Sequence, residues 1–130
     1  MEDSFAVRRR IDRLYAAFNE RDVEGVATYM SPTVQWANAW EGGYVNGRAN
    51  VAAYWARQWE ENNSVITPQT VSTEPDGRVA VEVVQVVKDS SGLLRAAVRV
   101  THVYTFDDDL VSRMDIGDAG FQPVEDDAVA

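Results

Sequence analysis

The sequence contains no cysteine, and this absence removes several kinds of chemistry. Without cysteine the chain forms no disulfide, has no thiolate nucleophile and cannot hold a cysteine-ligated zinc ion. A chain without cysteine fits a reducing compartment, so we predict a cytoplasmic location.

Basic residues are few: 12 Lys and Arg stand against 21 Asp and Glu, for a formal net charge of −9. Nucleic acids and anionic membranes are bound by positive surfaces, so this charge argues against both as partners. No segment is apolar over the length needed to cross a bilayer. The basic cluster Arg8–Arg10 is not followed by an apolar region, so we do not interpret it as a signal peptide.

The acidic runs do not form a recognisable metal site. Asp107–Asp109 lacks the glycine and the distal glutamate of an EF-hand loop, so we predict no metal, and no motif indicates a cofactor. With 130 residues the chain has room for one hydrophobic core. We predict a single domain over residues 1–121 and an acidic tail over residues 122–130.

Hydrophobic spacing predicts helices at residues 5–19, 22–30 and 47–61. Apolar residues recur at helical intervals in the first and third: Val7, Ile11, Leu14 and Phe18 in the one, Val51, Trp55 and Trp59 in the other. Ser31–Pro32 is expected to end the second helix. Strands are predicted at residues 33–40, 65–73, 78–88, 93–106 and 110–116. Helices followed by hairpin-linked strands are typical of an α+β protein with an antiparallel sheet.

His102 is the only histidine of the chain. It lies in the run VRVTHVYTF at residues 98–106, where alternation places His102 on one strand face with Val100 and Tyr104. Imidazole changes protonation near neutral pH and can donate from one nitrogen while accepting at the other. His102 is therefore a candidate catalytic residue in a pocket. The alternative is a histidine that only satisfies its hydrogen bonds inside the sheet.

The order of these elements resembles the nuclear transport factor 2-like superfamily, and especially its SnoaL-like branch. Four local patterns carry the resemblance: LYAAFNERDVEGVATYMSP (14–32), TVQW (33–36), GRANVAAYW (47–55) and THVYTFDDDLVSRM (101–114). The resemblance implies a strongly curved antiparallel sheet wrapped around three helices, with a conical cavity between them. It also implies dimerisation through the outer face of the sheet.

The steroid Δ-isomerases of this superfamily use an aspartate base, a tyrosine and a protonated aspartic acid. Aligned without gaps, the base position falls on Asn38, the tyrosine position on Leu14, next to Tyr15, and the late acid on His102. An amide does not accept a proton at neutral pH, so Asn38 can orient a ligand but cannot act as that base. The same steroid mechanism is therefore disfavoured, and His102 remains the candidate acid/base group.

Six residues are predicted to bind the substrate: Tyr15, Trp36, Asn38, Trp55, Gln85 and Tyr104. Trp59, on the same helix as Trp55, is expected to belong to the core instead. Gln85 interrupts a run of valines, so its amide either faces the cavity or bonds within the sheet. Arg113 and Asp115 resemble part of an epoxide hydrolase relay, but without the spacing of that family, and a surface ion pair is the favoured interpretation.

Two functions remain open. The chain is either a cofactor-free isomerase, cyclase, dehydratase or hydrolase of a small, largely apolar carbonyl or hydroxyl compound, or a non-catalytic ligand-binding or assembly module. Both predict a small apolar ligand and a homodimer. The dimer is expected to form through the outer faces of the strands 78–88 and 93–106, unless residues 121–124 fold over that surface.

Overall fold

The computed structural model describes residues 4–38, 41–61 and 63–124. The predicted Trp40, the helix end at Asn62 and residues 125–130 of the tail lie outside this part of the chain. The helices are α1 (Ser4–Asn19), α2 (Val23–Ala27) and α3 (Arg48–Glu61). The strands are β1 (Met30–Ala37), β2 (Tyr44–Asn46), β3 (Asn63–Thr73), β4 (Val79–Lys88), β5 (Leu94–Asp107), β6 (Leu110–Ile116) and β7 (Gln122–Pro123).

The strands form one curved sheet in the order β2-β1-β6-β5-β4-β3, and β7 pairs with the free part of β5. This confirms the predicted α+β fold of three helices and a curved sheet. The sheet is mixed rather than purely antiparallel, because β1 pairs with β6 in parallel. A hairpin forces its two strands to be antiparallel, but β1 and β6 are far apart in the chain, so no hairpin sets their relative direction.

The boundaries of α2 and β1 differ from the prediction. The helix α2 ends at Ala27 instead of residue 30, and Ser31 and Pro32 lie inside β1. The β1–β6 register is interrupted between Met30 and Gln35, so Pro32 falls where the ladder is irregular. A proline is tolerated there because no regular ladder hydrogen bond is lost. The short strands β2 and β7 were not predicted.

The helices α1 and α3 pack on the concave face of the sheet and form the core with it. Ile11, Val51 and Trp55 are buried on the helices, and Val83 and Val100 on the sheet. Irregular registers between β3 and β4 at Pro68/Thr70, and between β5 and β6 at Thr105/Phe106, mark places where bulges bend the strands. Among the described residues, no helix has both the length and the apolarity to span a membrane.

The end of α1 is attached to β3 by the side chain of Asn19. Its Nδ2 donates to the carbonyl oxygen of Ile66 and its Oδ1 accepts from the Ile66 N–H, both at 2.8 Å. One amide thus satisfies both backbone groups of a residue that is 5% exposed. This contact holds the helix against the sheet on one side of the cavity.

We predict that Asn19→Ala lowers the free energy of unfolding by about 2 kcal/mol, because it leaves two polar backbone groups of β3 without their partner. Urea unfolding of the variant measures this change. Asn50→Ala is the matched control, since the Asn50 amide makes one exposed hydrogen bond, to the Asn46 carbonyl. A loss no larger for Asn19→Ala than for this control would contradict the prediction.

Candidate functional site

A cavity of about 320 Å³ lies between the helices and the concave face of the sheet. This volume is within the range of small-molecule sites. Apolar and aromatic side chains from α1, α3 and strands β1 and β3–β6 supply most of its wall, and none of the described residues that line it is charged. The site therefore offers shape, apolar surface and a few neutral hydrogen-bonding groups.

The cavity brings together all but one of the predicted site residues: Tyr15, Trp36, Trp55, Gln85, His102 and Tyr104. Asn38 is the exception. It lies after the end of β1, where its Oδ1 accepts a hydrogen bond from the Glu41 N–H at 3.1 Å. The prediction extended the strand to residue 40, but β1 ends at Ala37, so the alternation that would have turned Asn38 inward stops before it.

Three buried side chains at one end of the cavity form a hydrogen-bonded chain. The Tyr15 hydroxyl lies 2.7 Å from Nδ1 of His102 and 2.7 Å from the Tyr104 hydroxyl. The rings of Tyr15 and His102 are stacked, with centroids 6.0 Å apart. Tyr15 comes from α1. His102 and Tyr104 come from β5, where alternate residues point to the same face of the sheet. Leu14 also lines the cavity, but Tyr15 is the residue that reaches the polar end.

Burial indicates which group donates in each of these two hydrogen bonds. Tyr104 is 0% exposed, and within the described residues its hydroxyl hydrogen has one available acceptor, the Tyr15 oxygen. A buried donor left unpaired costs about 1–3 kcal/mol, so we infer that Tyr104 donates to Tyr15 and that Tyr15 donates to Nδ1 of His102. His102 then carries its hydrogen on Nε2. We infer that the Nε2–H group of His102 is the donor that faces the cavity.

The polar end is uncharged at neutral pH. Burial lowers the pKa of His102 from 6.5 to about 4, so the imidazole is neutral at pH 7. Burial also raises the pKa of Tyr15 and of Tyr104, which keeps both hydroxyls protonated. Such a site can donate a hydrogen bond to a carbonyl or hydroxyl oxygen, and it offers no ionic partner.

Aromatic rings form much of the apolar wall. Trp36 and Trp55 meet edge to face with centroids 4.9 Å apart, and Phe18 meets Trp59 in the same way at 5.1 Å. Trp59, predicted to be core, packs against the core and also lines the cavity. The Trp59 ring therefore belongs to both the core and the cavity wall. The prediction that Trp55 lines the pocket while Trp59 belongs only to the core does not hold.

Further residues line the cavity that were not predicted to do so, among them Gln58, Ser64 and Phe121. Gln58 lies three residues after Trp55, so helical spacing could have placed it on the inner face. The position of Ser64 depends on the register of β3, and that of Phe121 on the pairing of β7 with β5, neither of which a local pattern reveals.

The remaining candidate groups lie elsewhere. Arg113 and Asp115 form an ion pair at 3.0 Å, partly exposed and joined by the Tyr44 hydroxyl, as expected for a surface pair. Neither lines the cavity. Within the described ranges, His, Asp and Glu side chains form no cluster suited to a metal ion.

Comparison with known proteins places this geometry in a family. A family model described as a SnoaL-like domain matches residues 11–114. A comparison of the sequence with curated proteins finds no match. Among solved structures, the chain is similar to TerC co-crystallised with polyporic acid, at 26% identity and a TM-score of 0.71, covering 84% of this chain and 88% of TerC.

Two further structures show the same fold. One is an NTF2-like protein of unknown function from Burkholderia pseudomallei, with 20% identity, a TM-score of 0.73 and coverage of 85% of this chain and 88% of that one. The other is a Mycobacterium tuberculosis protein in complex with estradiol-17beta-hemisuccinate. It has 16% identity, a TM-score of 0.72 and coverage of 82% and 88% respectively.

We predict that the free energy of unfolding falls more steeply below pH 6.5 in the wild type than in His102→Gln. The unfolded chain binds a proton at His102 near pH 6.5, whereas the folded protein binds it only near pH 4, so acid favours unfolding. The difference between the two proteins in the slope of unfolding free energy against pH approaches about 1.4 kcal/mol per pH unit. Over the range between the two pKa values, the wild type loses about 3 kcal/mol more than the variant. Urea unfolding at a series of pH values measures it.

This comparison isolates one group, because the chain has no other histidine. Carboxylates titrate in both proteins, so their contribution cancels in the difference between the two slopes. Equal slopes between pH 6.5 and 5 would show that the folded protein protonates His102 freely, and that the imidazole is not closed off as described.

Proposed function

The chain belongs to the SnoaL-like domain family, and we propose that it binds a small, largely apolar, neutral molecule in its cavity, with a polar group of that molecule at His102. The observation that carries this proposal is the buried hydrogen-bonded network Tyr104–Tyr15–His102, which borders a largely apolar and uncharged cavity. A neutral donor in such a place is matched by a carbonyl or hydroxyl oxygen.

The electrostatics of the cavity support a neutral ligand. Moving an ion into apolar surroundings without a partner is strongly unfavourable, and no charged side chain among the described residues lines this wall. The aromatic rings of Trp36 and Trp55 supply apolar surface in fixed positions. The complexes of TerC with polyporic acid and of the Mycobacterium tuberculosis protein with estradiol-17beta-hemisuccinate agree with small-molecule binding in this fold.

A catalytic role is the finer hypothesis, as a cofactor-free isomerase, cyclase or dehydratase. Nε2–H of His102 would donate to the substrate oxygen and stabilise the negative charge that develops there, while Tyr15 and Tyr104 hold the imidazole in the donating tautomer. To act as the acid/base group, the ring would need the other tautomer, in which Nδ1–H donates to Tyr15; Nε2 would then take a proton from the substrate and return it to the product. Tyr15 thereby positions His102 rather than contacting the substrate oxygen itself.

A non-catalytic ligand-binding module is the second hypothesis, and a specific observation favours it. None of the described cavity residues carries a carboxylate, and Asn38, at the position of the isomerase base, faces a turn instead of the cavity. A reaction that needs a strong base separate from the donor is therefore not supported.

We expect 4-hydroxybiphenyl to bind the wild type more tightly than biphenyl, by about 3–10-fold, the value of one net hydrogen bond. The hydroxyl can donate or accept, so the test does not depend on the tautomer of His102. In His102→Phe this preference should become smaller. Quenching of tryptophan fluorescence measures binding, because Trp36, Trp55 and Trp59 line the cavity. Asn38→Ala is the matched control and should bind as the wild type does.

Turnover of a panel of small ketones and epoxides separates the two hypotheses. Activity in the wild type that is lost in His102→Gln, with binding retained, supports catalysis. Binding without turnover supports the ligand-binding module. Turnover that His102→Gln leaves unchanged rejects His102 as the acid/base group.

We also propose that two copies associate through the convex face of the sheet. Val84, Val86 and Ala97 are partly buried on this face, and the adjacent Val65 is 46% exposed. The segment of residues 121–124 does not cover this face: β7 extends the sheet beside β5 and Phe121 lines the cavity. A second copy would cover this mixed apolar surface.

We predict a homodimer at micromolar concentration that Val86→Glu weakens, because the change places a charge in the proposed contact. Val103→Glu is a poor test, since Val103 is 8% exposed within one chain and the charge would destabilise the protomer itself. Light scattering gives the mass and circular dichroism confirms folding. A mass of 14.5 kDa for the wild type at all accessible concentrations would contradict the prediction.

A further inference from the structure

The wall of the cavity carries a second group of polar side chains, far from His102. Ser64, Gln85 and Gln58 all line it. Gln85 pairs with Ile66 across the β3–β4 ladder, and Ser64 lies two residues before Ile66, so both point to the concave face. Gln58 is on α3, about one turn before the helix ends at Glu61.

These groups have no hydrogen-bond partner within the protein, as far as the structure describes it. Neither the Ser64 hydroxyl nor the amides of Gln58 and Gln85 bond to residues 4–38, 41–61 or 63–124, although Ser64 is only 8% exposed. Beside Gln58, the indole N–H of Trp59 is buried and also has no partner. Gln58 and Gln85 are half-buried, whereas Ser64 and the indole N–H of Trp59 are buried. Buried polar groups are nearly always hydrogen-bonded, so unpaired polar groups on a cavity wall favour a bound ligand.

The two polar regions are separated along the sheet. His102 is opposite Val81, and Gln85 lies four residues further along β4, opposite Val98. Four residues of strand correspond to about 13 Å. Most of the other described residues that line the cavity are apolar, among them Val98, Ile66 and Phe18. A compact ligand with a single polar group could reach only one of the two regions.

We propose that Ser64, Gln58 and Gln85 form a second polar subsite, and that the ligand is an elongated neutral molecule with a hydrogen-bonding group at each end. One end bonds to His102 and the other to the second subsite, while the middle of the molecule packs on the apolar wall. This inference rests on the proposed function and specifies its ligand class. Amides and a hydroxyl both donate and accept, so the far end is a hydroxyl or a carbonyl and not an ion.

The test compares 4,4′-dihydroxybiphenyl with 4-hydroxybiphenyl. Both are elongated molecules with the same biphenyl skeleton, but the first has a hydroxyl at each end and the second at one end only. We expect the wild type to bind the dihydroxy compound about 3–10-fold more tightly, beyond the statistical advantage of its two equivalent ends. In the double variant Ser64→Ala, Gln85→Leu that preference should be lost, whereas 4-hydroxybiphenyl should still bind more tightly than biphenyl because its hydroxyl bonds to His102. Tryptophan fluorescence again measures binding.

Stability provides an independent measurement on the same variants. Because the Gln85 amide has no partner among the described residues, Gln85→Leu alone should leave the free energy of unfolding unchanged or raise it. A clear loss of stability would show that the amide is bonded within the fold, and would overturn the second subsite.

The remaining outcomes separate this inference from the proposed function. If 4-hydroxybiphenyl binds in a His102-dependent way but the second hydroxyl adds nothing, or adds equally in the double variant, the second subsite is wrong and the proposed function stands. If neither probe binds the wild type, both are overturned.

Discussion

The structure depends on the mutual satisfaction of three polar groups in its interior. The Tyr15 hydroxyl bonds at 2.7 Å to both His102 and Tyr104, residues that are 87 and 89 positions away in the chain. None of these groups could be buried alone without a substantial cost, so each requires the other two. The same contacts hold α1 against β5. The position of the helix, the shape of the cavity and the orientation of the imidazole therefore follow from one arrangement.

Charge is distributed so that the interior is neutral although the chain has a formal net charge of −9. Two ion pairs lie at the surface: in Arg10–Asp109 the carboxylate is well exposed, and in Arg113–Asp115 it is partly exposed. Inside, burial keeps the imidazole unprotonated and the tyrosines protonated. A ligand that enters the cavity meets hydrogen-bonding groups and aromatic rings, so recognition depends on shape and on the placement of oxygen atoms.

The comparison with the steroid isomerases shows where transfer of residue positions succeeds and where it fails. The late acid position falls on His102, which does lie at the polar end of the cavity. The base position falls on Asn38, which the end of β1 leaves in a turn. Tyr15, one residue from the tyrosine position, bonds to the imidazole, whereas Leu14 at that position lines the apolar wall. Counting along a strand is reliable only as far as the strand extends.

The sequence by itself determined the helices α1 and α3, the long strands β4–β6 and the face of β5 that carries His102 and Tyr104. These features depend on periodicity, which the backbone geometry of helices and strands imposes locally. It also limited the chemistry, through the absence of cysteine and the single histidine.

Only the tertiary structure decided the parallel pairing of β1 with β6, the inward direction of the Gln85 amide, and the bond between Tyr15 and His102. It also placed Trp59 and Phe121 on the cavity wall. Each of these depends on which distant segment lies opposite, and a local pattern of apolar and polar residues contains no information about the partner. Packing of the helices onto the curved sheet selects those partners, because only that arrangement buries the apolar faces and pairs the buried polar groups together.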